Sequence, residues 1–317
     1  MSPNSKGKLE FDQKNANHMY FNKIVFTILL FTVSCSQVKN GQRLGKHENY
    51  KWEDLIDDNL SKWDTYLSFQ HPEGYDGTPP KTMDGELIQP IGLNNPSYDV
   101  FTTFQDGEDT VIRNSGEYYG CLITKEEYEN YHFQLKYKWG NKKWAYRKNL
   151  LRDSGILYHS IGPMAVEYWR SWMLSQEFQI MEGHTGDFWS QANSVMDVRA
   201  YKPESVLDPM AHESQDYIPI GMGSPYRNYC LRSGNYESPN DEWTTLDLFC
   251  FEGNSLHMVN GKVVMILKNS RYVGENGKNV PMTKGKIQLQ SEAAELFFKD
   301  IRIRKIDSLN PAQKALF

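Results

Sequence analysis

The stretch Met173-Leu-Ser-Gln-Glu-Phe-Gln-Ile-Met-Glu-Gly183 is the most informative part of this 317-residue chain. Alternate residues of a β-strand point to opposite faces of a sheet. Glu177 and Gln179 therefore share one face, and Phe178 and Ile180 share the other. The stretch predicts a strand with an apolar face for the core and a polar face able to carry chemistry.

In regular alternation the next residue on the polar face is Met181. The second carboxylate of the stretch, Glu182, lies one residue further on and would point to the apolar face. A β-bulge at positions 180–181 would absorb one residue and bring Glu182 beside Glu177. A strand that ends at Met181 would instead leave Glu182 in a loop. Paired carboxylates on an open sheet face suit acid–base chemistry on sugars, whereas the plain alternative is a solvated strand with ordinary Glu residues.

The rest of the chain is typical of an all-β protein. In residues 131–139, apolar and polar side chains alternate, which indicates a half-buried strand. Asn260-Gly261 lies between two apolar runs and predicts a hairpin turn. Residues 71–96 and 197–224 are rich in Pro and Gly and predict long loops, while residues 52–69 predict a short helix or turn. Together these patterns predict an antiparallel two-sheet sandwich or jelly roll.

Composition narrows the class of protein. The net charge is −5, and acidic and basic residues are mixed along the chain, so no basic stripe indicates nucleic-acid binding. Aromatic residues make up 13% of the chain, with 8 Trp and 19 Tyr. Such a content fits a β-rich protein with rings available for sugar stacking.

The N-terminus indicates export. Lys23 precedes an apolar run, residues 24–33, which is too short to span a bilayer and suits a signal peptide. The following Ser34-Cys35 resembles a bacterial lipoprotein signal with Cys35 as the lipidated residue, and plain secretion with cleavage near Cys35 is the alternative. We expect a periplasmic or cell-envelope lipoprotein that meets the membrane through its lipid anchor only.

We expect residues 1–35 to be an extension and signal segment, residues 36–50 a flexible tether, and residues 51–317 a single jelly-roll domain. Two of the cysteines after Cys35, Cys230 and Cys250, fall on neighbouring strand candidates, and whether they form a disulfide is left open.

A second polar face precedes the opening stretch. Asp153, Gly155, Leu157 and His159 share one face of a predicted strand. If this strand neighbours the strand of Glu177, the polar groups line one groove. The set is Asp153, His159, Glu177, Gln179 and Glu182, with Lys136 added from the strand of residues 131–139.

Several motifs in one order resemble the 3-keto-disaccharide hydrolase domain family. They are Arg152-Asp-Ser-Gly-Ile-Leu-Tyr-His159, Glu177-Phe-Gln-Ile-Met-Glu-Gly183, Gly186-Asp-Phe-Trp189, the hairpin from His257 to Gly261, and Ile287-Gln-Leu-Gln-Ser-Glu292 with Phe297-Phe-Lys-Asp-Ile301. The resemblance runs from about Leu55 to Ile306. It implies a concanavalin-like jelly-roll fold and an exported carbohydrate-active hydrolase.

The resemblance implies a reaction on a 3-keto-glycoside. A base removes the proton at C2, the C1 substituent is eliminated, and water adds to the product. We expect Glu177 or His159 to be the base, Glu182 the acid, and Gln179 and Lys136 hydrogen-bond donors to the substrate.

Two further assignments concern the same groove. A divalent cation, calcium or magnesium, held by Asp153, Glu177 or Glu182 would serve in place of the donors. Trp189 is a candidate platform for stacking a sugar ring, with a Trp at the edge of the core as the alternative.

Two other functions stay open. The spacing of Glu177, Gln179 and Glu182 resembles the Glu-x-Asp-x-x-Glu motif of laminarinase-like glucanases, which favours a conventional retaining β-glycosidase if the two Glu carboxyl groups approach to ~5 Å. A non-catalytic carbohydrate-binding lipoprotein on the same fold is the third possibility.

The expected lipid attachment can be tested in cells. Wild-type protein should incorporate a fatty-acid probe, because the acyl chain is joined to the Cys35 thiol. Cys35→Ser should lose the label, with Cys121→Ser as the control that keeps it. Equal labelling of the wild type and Cys35→Ser would show that the anchor is elsewhere or absent.

Overall fold

The computed structural model describes residues 50–166 and 171–317. The expected signal segment, the tether before Tyr50 and the lipidation site Cys35 lie outside these residues. The described residues fall within one compact unit, His47–Phe317. No helix in the described ranges combines the length and the apolar character needed to cross a membrane.

The regular secondary structure of the described chain is almost all β-strand. In chain order they are β1 (Glu53–Asp54), β2 (Trp63–Leu67), β3 (Gly92–Leu93), β4 (Phe101–Asp106), β5 (Asp109–Asn114), β6 (Gly120–Thr124), β7 (Tyr128–Glu129), β8 (Tyr131–Lys143), β9 (Asp153–Ile161), β10 (Leu174–Met181), β11 (Phe188–Ser190), β12 (Ser194–Tyr201), β13 (Met210–Ala211), β14 (Tyr217–Gly221), β15 (Tyr229–Cys230), β16 (Thr244–Phe251), β17 (Asn254–Val259), β18 (Lys262–Val273), β19 (Asn279–Pro281), β20 (Lys284–Ser291) and β21 (Ala294–Lys305). A 3-10 helix, Ala145–Arg147, joins β8 to β9, and one short helix, α1 (Pro311–Lys314), follows β21.

The strands form two antiparallel sheets, which confirms the predicted all-β jelly-roll sandwich. Over the described residues, the larger sheet has 12 strands around the path β13-β12-β18-β17-β16-β8-β21-β5-β4. The smaller sheet has 9 strands around the path β15-β11-β10-β9-β20-β6-β2-β3. Strands distant in sequence therefore become neighbours: β20 lies between β9 and β6.

The core lies between the two sheets. Phe133 and Tyr137 of β8 come from the larger sheet, and Ile156 of β9 and Phe178 of β10 come from the smaller one; all are fully buried in one cluster. Because side chains alternate, the residues between them on β9 and β10 face away from the larger sheet. The smaller sheet thus keeps an outer face that is free to form a site.

The hairpin prediction at Asn260-Gly261 is confirmed. The two residues connect β17 to β18, and both have positive φ, 47° and 75°. That is the type I′ geometry for which Asn-Gly is favoured.

Two local predictions, the long loop at residues 197–224 and the short helix or turn at residues 52–69, are wrong in part. Residues 197–224 contain most of β12 and all of β13 and β14, since β12 pairs with both β14 and β18. The Pro and Gly residues of this segment mark turns between edge strands instead of one long loop. Residues 52–69 form β1 and β2 with turns between them, and no helix.

The predicted bulge at positions 180–181 is also wrong. β10 pairs with β9 in regular register from Gln176 to Met181, with Met181 opposite Asp153. The irregularity lies on β9, where the pairings with both β10 and β20 shift next to His159. His159 has φ 53°, so the extra residue of the bulge sits there.

The open question about the cysteines is settled for the described residues. Cys121, Cys230 and Cys250 are buried free thiols. Burial raises the pKa of each of them, so these thiols stay protonated and behave as small core residues.

Two buried imidazoles make stability depend on pH. His257 stacks on Phe178, with ring centroids 4.3 Å apart, and contacts the Tyr158 hydroxyl at 3.0 Å. Burial lowers the pKa of His257 and of His159 to about 3. The unfolded chain takes up these protons below pH ~6.5, so their stabilising contribution is complete above that pH and is lost as the pH falls towards 3.

We therefore expect the free energy of unfolding to fall between pH 7.5 and pH 5 by roughly 2 kcal/mol for each imidazole. Urea denaturation at the two pH values measures the change. His257→Gln is the matched variant, because it replaces the imidazole with a group that does not titrate. Its loss should be smaller than that of the wild type, and an equal loss would contradict the assignment.

Candidate active site

A groove of about 310 Å³ lies on the outer face of the smaller sheet. Its floor comes from β9, β10 and β20, and its walls from the segments before β6, after β8 and after β11. The lining residues are Tyr119, Tyr146, Arg147, Asp153, Trp172, Glu177, Gln179, Met181, Trp189, Gln191, Gln290 and Glu292. Carboxylates, amides and aromatic rings are thus gathered in one concave surface.

Glu177 lies in the floor of the groove and is only 2% exposed. The amide of Gln191 donates a hydrogen bond to its carboxylate. Beneath it, Gly155 has no side chain; a Cβ there would come within 2.5 Å of Oε1 of both Glu177 and Gln290. Glycine at this position therefore allows the two side chains to converge over the strand.

Asp153, Arg147 and Glu292 form a charged bridge at the side of the groove. The Arg147 guanidinium donates to the carboxylates of Asp153 and, at 2.6 Å, Glu292. Gln179 donates to the other oxygen of Asp153 at 2.6 Å. The single positive charge of Arg147 thus pairs with two carboxylates, so the bridge has one negative charge in excess.

This excess charge affects the protonation of Asp153. Burial is the main influence, and together with the Glu292 carboxylate it raises the pKa of Asp153 well above its ordinary value, against the opposing effect of Arg147. Asp153 is accordingly the carboxyl group of the groove most suited to hold a proton. Glu177 accepts a hydrogen bond from the amide of Gln191.

Two acceptor atoms in the groove lack a protein partner. Oε1 of Gln179 and Oε1 of Gln290 are buried without a hydrogen bond in the described part of the chain. Leaving such atoms unpaired costs free energy. A ligand with hydroxyl donors would satisfy both.

Trp189 forms one wall of the groove. Its ring lies 4.6 Å from the ring of Tyr229, and the Tyr229 hydroxyl donates to the fully buried Asp187. Arg232 pairs with the same carboxylate at 3.0 Å. The Gly186-Asp-Phe-Trp189 motif therefore supplies both an aromatic face and the buried anion that fixes its neighbour.

Glu182 does not lie in the groove. β10 ends at Met181, and Arg152 binds the Glu182 carboxylate at 3.1 and 3.0 Å, while Asn240 donates to it at 2.9 Å. The hydrogen bonds from Arg152 lower the pKa of Glu182. The expectation that Glu182 stands beside Glu177 is wrong, since the bulge that it required is absent from β10.

His159 and Lys136 are also outside the groove. The bulge turns His159 into the core, where it is 1% exposed and lies 3.5 Å from the hydroxyl of Ser270. Lys136 belongs to the larger sheet and pairs with Asp300 at 2.8 Å. Of the predicted site residues within the described chain, Asp153, Glu177, Gln179 and Trp189 are brought together.

Sequence reasoning missed several groove residues. Gln290 lies on β20, where Gln288 and Gln290 alternate with the apolar residues Ile287 and Leu289, and Glu292 follows the strand. This period-two pattern was a usable signal for a polar face. Arg147, Tyr119 and Gln191 come from connecting segments. No strand period predicts them, because their positions depend on tertiary contacts.

The expected divalent cation does not match this set of side chains. Across the ranges described, no group of three His, Cys, Asp or Glu side chains is arranged to hold a metal ion. Asp153 directs its oxygens to Arg147 and Gln179 instead. A cation at Asp153, Glu177 or Glu182 stays a prediction, and the steps proposed below use none.

Fold and groove together define an all-β jelly-roll protein with a polar groove on its smaller sheet. Residues 51–304 match the profile of the 3-keto-alpha-glucoside-1,2-lyase-like domain. The chain belongs to this family, which confirms the resemblance seen in the sequence motifs. No curated protein matches the chain.

Solved structures with a similar strand arrangement are distant in sequence. A protein of Parabacteroides distasonis ATCC 8503 with a provisional glycosyl hydrolase name is 18% identical, at TM-score 0.44, over 81% of this chain and 100% of its own. LamA from Z. galactanivorans, in complex with laminaritriose and laminaritetraose, is 14% identical at TM-score 0.39, over 82% of this chain and 100% of its own. Carbohydrate binding module CBM66 from Bacillus subtilis is 8% identical at TM-score 0.35, over 65% of this chain and 92% of its own.

The charged bridge can be tested by removing its cation. Arg147→Ala leaves two largely buried carboxylates without their shared partner, so we expect a loss of stability on the order of 3 kcal/mol at pH 7.5. Urea denaturation measures it. In an Asp153→Asn, Glu292→Gln background the same change should cost much less, because no charge is stranded. An equal cost in both backgrounds would show that Arg147 acts through packing alone.

Proposed function

We propose that this protein cleaves 3-keto-glycosides by removing the C2 proton, eliminating the C1 substituent and hydrating the product. Membership of a 3-keto-alpha-glucoside-1,2-lyase-like family supports the reaction class. The observation that carries the proposal is the placement of Glu177, held by Gln191, in one groove with the Asp153–Arg147–Glu292 bridge. The proposed base and a group able to hold a proton thus line one small cavity.

Glu177 is the proposed base. The ketone at C3 acidifies the hydrogen at C2, and the Glu177 carboxylate takes it as a proton. The C2–H electron pair forms a C2–C3 double bond, and the carbonyl pair moves to the C3 oxygen as an enolate. This role suits a carboxylate that lines the groove and is held in place by the amide of Gln191.

Asp153 is the proposed acid. The enolate re-forms the C3 carbonyl, its electrons make a C1–C2 double bond, and the C1–O bond breaks. The departing oxygen takes the proton held at Asp153, whose pKa is raised by burial and by Glu292. Water then adds to C1 with its proton returning to Asp153, and Glu177 returns its proton to C2, so both groups are regenerated.

The remaining groove residues suit a polyhydroxylated ring. Oε1 of Gln179 and of Gln290 accept from sugar hydroxyls, which would satisfy both buried acceptors. Trp189 provides a flat apolar face of the kind on which sugar rings stack. Polar groups at the floor beside an aromatic wall are the usual design of a small-molecule site.

The conventional retaining glycosidase is less well supported. That mechanism needs two carboxyl groups ~5 Å apart across the scissile bond. Glu182, the second member that the sequence suggested, is bound by Arg152 and Asn240 away from the groove. A binding protein without activity uses the same groove, and the experiment below separates it from an enzyme.

Export and lipid attachment at Cys35 form a further part of the proposal. The signal-like run of residues 24–33 before Ser34-Cys35 supports them. An oligosaccharide or glycoside outside the cytoplasm would then be the substrate.

The experiment is to incubate the purified protein with a glucoside and with its 3-keto derivative and to analyse the products. We expect turnover of the 3-keto compound only. Glu177→Gln should lower kcat by about 10²-fold or more, the usual effect of losing one acid–base group. Glu182→Gln is the matched control, because it makes the same change five residues away and outside the groove, and it should retain most of the activity.

Cleavage of the unoxidised glucoside would favour the retaining glycosidase. Binding of both compounds without turnover would favour a carbohydrate-binding protein. Near-wild-type activity of Glu177→Gln would remove Glu177 from the mechanism even if the 3-keto compound is cleaved.

A further inference from the structure

Two hydrogen-bond donors of the groove have no partner among the described residues. The hydroxyl of Tyr119 and Nε of Arg147 are buried, and neither makes a hydrogen bond to any described residue. Both side chains line the groove that holds Glu177 and Asp153. Buried donors without partners are uncommon, because each loses its hydrogen bonds to water on folding.

The backbone fixes Tyr119 in place. Its N–H donates to the carbonyl of Phe69 at 2.8 Å, and its carbonyl accepts from the N–H of Ser68 at 2.7 Å. Its ring packs against His71, with centroids 4.3 Å apart, and against Tyr146 at 5.9 Å. The hydroxyl is therefore preorganised and needs no rearrangement to meet a ligand.

The guanidinium of Arg147 is equally restrained. Its terminal nitrogen is engaged by Asp153 and Glu292, which leaves Nε unused. The 3-10 helix that carries Arg147 is anchored through Trp144, whose indole N–H donates to the carbonyl of Ser115 at 2.8 Å and whose backbone N–H donates to Ala293 at 2.9 Å. The two unpartnered donors thus come from different segments that meet at one wall.

Tyr119 keeps its proton in this setting. Burial, and then the negative charge of Glu292, raise the pKa of its hydroxyl far above the ordinary value. Arg147 is permanently charged. Both groups therefore offer hydrogens, so their natural counterpart is an oxygen that only accepts.

We infer that the Tyr119 hydroxyl and Arg147 Nε form the oxyanion-binding pair that receives the substrate's keto oxygen. The inference rests on the proposed function and adds the group that stabilises its intermediate. When Glu177 takes the C2 proton, the carbonyl electrons move onto the C3 oxygen, and the developing charge strengthens both hydrogen bonds. No proton is transferred to the C3 oxygen. When the C1–O bond breaks, the C3 carbonyl re-forms and the negative charge leaves with the C1 oxygen, which takes the proton held at Asp153.

This pair also explains a preference for oxidised sugars. A C3 ketone has no hydrogen of its own, so both donors reach its lone pairs. A C3 hydroxyl carries a hydrogen that needs an acceptor, and no negative charge develops on its oxygen. The same two donors therefore stabilise it less. We expect the discrimination to appear mainly in turnover, because the stabilised charge exists only after C2 deprotonation.

The test is Tyr119→Phe, assayed on methyl 3-keto-glucoside in D₂O. We expect kcat to fall by about 10²-fold, the usual effect of losing one oxyanion donor, with a change in KM of only a few fold. Deuterium incorporation at C2, followed by NMR, should fall in parallel, because it reports enolate formation. Arg147→Lys, which keeps the positive charge but moves the donor, should reduce the exchange as well.

Tyr131→Phe is the control. Its hydroxyl is likewise buried, but it lies in the core between the sheets, beside the Cys250 thiol. It should keep wild-type exchange, which separates loss of a hydroxyl in the groove from loss of one elsewhere. Circular dichroism and urea midpoints establish that the variants are folded.

The outcomes separate the two proposals. Wild-type turnover together with undiminished C2 exchange in Tyr119→Phe would overturn the oxyanion pair and leave the proposed function intact. A folded wild type that neither exchanges C2 nor turns over the 3-keto compound would overturn both. Reduced exchange in Tyr119→Phe and Arg147→Lys, with Tyr131→Phe unaffected, supports the pair.

Discussion

The groove depends on the ion pairs that Arg147 forms with two carboxylates. A single guanidinium joins the start of β9, through Asp153, to the residue that follows β20, through Glu292. These strands are neighbours in the smaller sheet but far apart in sequence. Two carboxylates this buried repel each other and lose hydration, so the groove can keep both only while a cation lies between them.

The two faces of the smaller sheet have different roles: one packs into the core, and the other lines the groove. Phe178 and Ile180 of β10 pack into the apolar core, whereas Glu177 and Gln179 between them open to the groove. Strand β10 thus holds Glu177, the proposed base, in the groove. Trp189 comes from the short strand β11, which lies between β10 and β15, and the connecting segments contribute Arg147 and Gln191.

Local patterns predicted the fold better than they predicted the site. The alternation of Glu177 and Gln179 with apolar neighbours and the Asn260-Gly261 turn are short-range signals, and each was confirmed. Glu182 was misplaced because a bulge changes side-chain direction by one residue, and spacing alone does not show which strand carries it. Arg147 and Tyr119 reach the groove only through long-range packing, which no periodicity records.

The bulge at His159 reverses the faces of the sheet to which alternate side chains of β9 point. Before it, odd-numbered positions such as Asp153 and Gly155 face the groove; from His159 onwards the assignment of faces is reversed. If related chains are compared as though β9 were regular throughout, substitutions at core positions from residue 159 onwards will be assigned to the groove. A change at position 159 therefore reports how a relative fills its interior, and carries no information about the sugar that it prefers.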